Sequence, residues 1–147
     1  MDAQQMEILL VEDNDDDILL EQEALAEAKL VNIMHVVRDG EEALAYLRRQ
    51  GRYHDAKMPG LILLDINMPK KNGFEVLKEI KADIDLCHIP VVMLTTSDSE
   101  SDVVKSYAKG ACSFITKPMD FHKFGEVAEQ FARYWTVVAR VPSTRKE

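Results

Sequence analysis

Five short apolar runs punctuate the chain: residues 6–11 (MEILLV), 33–37 (IMHVV), 61–64 (LILL), 90–95 (PVVMLT) and 112–116 (CSFIT). The first four are rich in Val, Ile and Leu, as strands buried on both faces are. Between them apolar positions recur three and four apart, the period of a helix with one face inward. The spacing predicts helices over roughly 15–29 (Ile18, Leu25 and Ala28 inward), 40–49 (Ala43, Leu44, Leu47), 73–82 (Phe74, Leu77, Ile80) and 99–109 (Val103, Val104, Tyr107). A fifth begins near Asp120, an N-cap residue type, and carries Phe121, Phe124, Ala128, Phe131 and Trp135.

Strands alternating with helices imply an α/β domain built on a parallel sheet. Right-handed crossovers leave few arrangements. The expected one is the flavodoxin-like doubly wound (βα)5 fold, a five-stranded sheet of order 2-1-3-4-5. In it, ligands bind beyond the carboxyl ends of the strands, where the first and third diverge.

Those ends turn polar together. The first strand runs into 12-EDNDDD-17, the third into Asp65, Ile66 and Asn67, the fourth into 95-TTSDS-99 and the fifth into 116-TKP-118. Glu12, Asp13 and Asp65 converge in this fold, and three carboxylates in a partly buried crevice need a cation to stay ionised together. Mg²⁺ suits them, being a hard ion that takes oxygen ligands and keeps several waters. The expected set is Asp13 and Asp65 directly, the backbone carbonyl near Asn67, and Glu12 through water. Asp15, Asp16 and Asp17 read instead as acids favouring the start of the first helix. Lys117, aimed by Pro118, and the Thr95 hydroxyl complete the tips. A carboxylate nucleophile, a divalent ion, a cation and a hydroxyl are the parts of phosphoryl transfer, where positioning and charge neutralisation do most of the catalysis. Asp65 would attack phosphorus and carry an acyl phosphate.

Charge and composition narrow the partners. The 147 residues fit one domain. A formal net charge of −8 argues against non-specific nucleic-acid binding and against anchoring on anionic lipid. No apolar run approaches the roughly 20 residues of a membrane helix. The start, MDAQQMEILLVEDN, lacks the basic segment of a signal peptide, so the expected location is the cytoplasm. Cys87 and Cys112 are isolated, and read as small buried hydrophobes rather than a disulfide or a zinc site.

The segments ILLVEDN, LILLDINMPKKNGFEVL, PVVMLTTS and GACSFITKP, in this order, resemble the receiver domain of two-component response regulators over roughly residues 6–135. The resemblance implies that Asp65 accepts a phosphoryl group from a phosphohistidine on a sensor histidine kinase. It implies Mg²⁺ held by Glu12, Asp13, Asp65 and the Asn67 carbonyl, with Thr95 and Lys117 on the phosphoryl oxygens. Phe114 stands where the family has its switch aromatic, coupled to movement of Thr95; as a Phe it has no hydroxyl to bond. Such a protein is a phosphoacceptor switch, not an enzyme acting on other substrates; it catalyses only its own phosphorylation and slow dephosphorylation. The segment 121–142 is similar to the end of small receivers that partner phytochrome-type histidine kinases.

That last segment carries more apolar surface than one face needs. Val127, Tyr134, Val138 and Val141 flank the main stripe before Pro142 ends any helix. The expectation is a homodimer through the fourth helix, fifth strand and fifth helix, with 136–147 as a C-terminal extension; the alternative is that 137–141 folds back on its own domain. With no basic recognition helix in view, output by protein contact is expected rather than direct DNA binding. Three rival readings fit less well. A haloacid-dehalogenase-type phosphatase needs an acid two residues after its nucleophile, where Asn67 stands. A flavin carrier needs a phosphate-cradling loop where EDNDDD would repel one. A degenerate receiver would lack part of the site set.

Overall fold

The computed structural model describes residues 6–27, 32–95, 110 and 113–116. Its elements are β1 (Met6–Val11), α1 (Asp15–Glu27), β2 (Asn32–Val37), α2 (Gly40–Leu47), a 3-10 turn (Gly51–Tyr53), β3 (Leu61–Asp65), α3 (Gly73–Ala82), β4 (Val91–Thr95) and β5 (Ser113–Thr116). The expected fourth and fifth helices and the extension lie outside the described residues.

All neighbouring strands pair in parallel, in the order β2-β1-β3-β4-β5 that the spacing predicts. The fold is therefore the flavodoxin-like α/β sheet. Side chains alternate across a strand, so each apolar run supplies both faces. Leu9, Val11, Ile62, Leu64, Val91 and Met93 form one core with Val37, α2 and α3. The alternate set, Ile8, Leu10, Leu61, Leu63, Val92 and Leu94, is equally inaccessible to solvent. No residue of β3 is exposed, which is why its run is unbroken in sequence.

β2 departs from the expectation of burial on both faces. Ile33, Met34, His35 and Val36 are only half-buried, and Val37 alone is buried among its described side chains. Among the described strands it stands at the edge of the sheet, with β1 on its inner side and no described strand on its outer side. His35 uses the room to meet Glu7 of β1 diagonally, at 2.8 Å.

Local chemistry sets the helix ends. Asn14 caps α1, its Oδ1 accepting from the Asp17 N–H at 2.9 Å. Asp39 caps α2 in the same way through the Glu42 N–H at 2.8 Å. Asn72 and Glu75 form a reciprocal capping box at the start of α3. α2 stops at Leu47 rather than near 49, because Arg49 turns into the left-handed region (φ 55°). Glu42 of α2 gathers the Arg38 N–H, Arg52 and the Tyr53 hydroxyl, pinning the 3-10 turn to the helix. Cys87 corrects a second expectation: it is exposed. In the turn after α3 the inward positions go to Leu86 and Ile89, which leaves Cys87 facing out. Cys112 lies outside the described residues.

Candidate functional site

The register levels the strand ends. Val11 of β1 pairs with Leu64 of β3, so Glu12 and Asp65 come next on adjacent strands. Asp65 pairs with Leu94 of β4, and Thr95 with Thr116 of β5. The Glu12 N–H continues the β1 ladder to the Val37 carbonyl at 3.0 Å, and the Ile66 N–H continues β3 to Leu94 at 2.9 Å. The backbone under both acids is therefore fixed by sheet hydrogen bonds.

Glu12, Asp13 and Asp65 each place a carboxylate oxygen so that all lie within 4.8 Å of one another. Glu12 is fully buried and Asp65 is 3% exposed, while Asp13 faces solvent. Glu12 Oε2 accepts from the Asn14 N–H at 3.3 Å, and Asp65 Oδ1 from the Asn67 N–H at 3.4 Å. The segment after β3 closes tightly, with the Gly73 N–H on the Ile66 carbonyl at 2.8 Å. Only glycine fits there, because a Cβ at 73 would lie 2.4 Å from the Asp65 carbonyl oxygen. An all-oxygen, multiply anionic group at two strand ends fits a hard divalent cation.

A second acidic group shares Glu12. Asp17 and Glu21 of α1 bring carboxylate oxygens within the same 4.8 Å limit, and Glu21 is only 1% exposed. Sequence reasoning did not single out Glu21, and it read Asp17 as a helix-start charge. Their four-residue spacing beside buried Ile18 was the available signal. Of the other expected site residues, Thr95 stands at the end of β4 and Phe114 within β5, with their side chains undescribed. Lys117, Val127, Tyr134 and Val138 lie outside the described residues.

Residues 8–129 match the response regulator receiver domain. The chain belongs to that family. The receiver is 41% identical over 136 residues to the response regulator Rcp1 of Synechocystis, which spans 92% of each chain. Among solved structures it resembles the phosphorylated cyanobacterial phytochrome response regulator RcpA, at 46% identity and a TM-score of 0.77, covering 91% of this chain and 96% of that one. It also resembles the Mn²⁺-bound form of Rcp1, at 41% identity and a TM-score of 0.75, covering 90% and 96%. Among the receiver's described residues no helix is long and apolar enough to cross a membrane.

Proposed function

We propose that this chain is a stand-alone response regulator that takes a phosphoryl group onto Asp65 and signals by changing its protein contacts. The observation that carries the reading is the convergence of Glu12, Asp13 and Asp65 at the ends of β1 and β3, with Asp65 nearly buried on a fixed strand. An Asp65 oxygen attacks the phosphorus of a phosphohistidine. The P–O bond forms as the P–N bond breaks, and the electron pair leaves with the imidazole, which takes up a proton. Mg²⁺, bound by Glu12, Asp13, Asp65 and the Asn67 backbone carbonyl, would supply charge neutralisation for the carboxylates and the incoming phosphoryl oxygens. Lys117 and Thr95 bind those oxygens, and Phe114 repacks as Thr95 is drawn in.

The donor is a sensor histidine kinase of the phytochrome class. The similarity to RcpA, a phytochrome response regulator, over nearly the whole chain supports this choice. Residues 6–135 act as the receiver and 136–147 as an extension to a homodimer interface that includes Val127, Tyr134 and Val138. The protein works in the cytoplasm and acts on no substrate but itself. Phosphate-affinity electrophoresis with acetyl phosphate and Mg²⁺ tests the core of the reading. The wild type shifts and Asp65→Asn does not; an unshifted wild type overturns it. Transfer from a phosphorylated phytochrome kinase, compared with a kinase of another input class, tests the partner.

A further inference from the structure

The segment between β3 and α3 is gripped on two sides by backbone that leaves no room for a side chain. Gly73 forms one side, against Asp65 and Ile66. Gly40, the buried first residue of α2, forms the other. A Cβ at 40 would lie 2.5 Å from the Lys71 carbonyl oxygen, 2.6 Å from the Lys71 Cβ and 2.7 Å from Val76 Cγ2. Two of those three atoms move only with the backbone, so a side chain at 40 must displace either α2 or the segment. Asp39 joins the same two pieces: its Oδ1 caps α2, while its Oδ2 lies 3.5 Å from Lys70 Nζ. Lys70 itself has φ 68°, a conformation that its surroundings must hold in place.

We propose that the first turn of α2 is a backstop for this segment, and that Gly40 is a positioning residue that sets the affinity of the acidic site for a divalent cation. The proposal rests on the reading that the Asn67 carbonyl joins Asp13 and Asp65 around the ion. Asn67 sits within the segment, whose near end is fixed by β3 and whose far end is fixed by the capping box of α3. A push at Lys71 therefore passes to the middle. A backbone carbonyl has no rotamer with which to compensate, and ligand distances tolerate only about 0.2 Å of error. The Asp39–Lys70 pair adds a smaller share, because solvent screens its exposed Lys70 end.

Calorimetric titration of the full chain with Mg²⁺, and separately with Mn²⁺, tests this alongside thermal melts in chelator. Gly40→Ala binds about 10- to 100-fold more weakly at a temperature where it is folded, the range typical of groups that orient metal ligands from outside. Lys70→Met loses a few-fold and Lys70→Arg recovers it. Gly51→Ala is the control: it also replaces a glycine, at φ +59°, but its Cβ meets nothing within 4 Å. It lowers the melting temperature and leaves the affinity unchanged. A Gly40→Ala protein that melts early yet binds as the wild type does overturns the proposal alone. A wild type that binds neither ion overturns the reading of the site beneath it. If Gly40→Ala does not fold, wild-type affinity in Lys70→Met overturns the proposal.

Discussion

Replacing Asp65 by Asn should stabilise the protein without metal and destabilise it with metal. The exchange is isosteric, so it opens no cavity and changes mainly one charge. In the folded chain that charge stands among two other carboxylates, with donor atoms within 4.8 Å of one another. Two unit charges at that distance repel by about 3.5 kcal/mol at an effective dielectric of about 20. The pair with exposed Asp13 is screened by water and salt to below about 1 kcal/mol. The pair with buried Glu12 keeps most of its repulsion. The Asn67 N–H bond to the Asp65 carboxylate, at 3.4 Å, and the Lys117 cation proposed beside it offset part of this, leaving an expected gain of about 1–2 kcal/mol in chelator. With metal the order reverses. The wild type gains about 1.4 kcal/mol for each decade of free Mg²⁺ above its dissociation constant, and the Asn variant loses most of that slope. Urea unfolding of both proteins, in chelator and across a Mg²⁺ series, measures the crossing. An Asn variant less stable than wild type in chelator, with neither protein responding to Mg²⁺, would refute the reasoning.

Glu42 predicts an acid-limb effect. Burial pushes its carboxyl up, but bonds from the Tyr53 hydroxyl, the Arg38 N–H and Arg52 outweigh this and hold it below the usual 4.5. Its contribution is therefore complete above that value and lost as pH falls through the lowered folded pKa, so Glu42→Gln should flatten the loss of stability seen by urea unfolding below about pH 4.5. Gly73→Ala should cost about 1–3 kcal/mol from overpacking against Asp65 and Ile66, read as a shift in urea midpoint at unchanged slope. Leu64→Ala, at a fully buried position, should cost about 2–5 kcal/mol in the same assay. Sedimentation of the full chain at tens of micromolar should give a dimer; a monomer, phosphorylated or not, refutes the proposed interface.

The central strands were legible because their burial is total. An unbroken run such as 61–64 has no solvent face to conceal it, and Asp65 stands out as the residue that ends it. α3 was readable at both ends, Gly73 to Ala82, because its apolar period and its boundaries coincide. What escaped depends on neighbours that a linear reading does not see. β2 looks like its companions in composition, yet it stands at the edge. Arg48 and Arg49 are good helix formers, but the chain must turn there. Glu21 reads as one more solvated acid on α1, and only the fold places it beside Glu12. Gly40 carries no mark in the sequence of the Lys71 backbone that lies against it.

β3 lies between β1 and β4 and is wrapped on both faces, so its amide protons should exchange only when the whole molecule opens. Asp65 is thus mounted on the part of the protein that yields last. Under the proposed function a donor would meet this acid in one fixed attitude, and any reshaping would fall to the surrounding connections rather than to the strand itself.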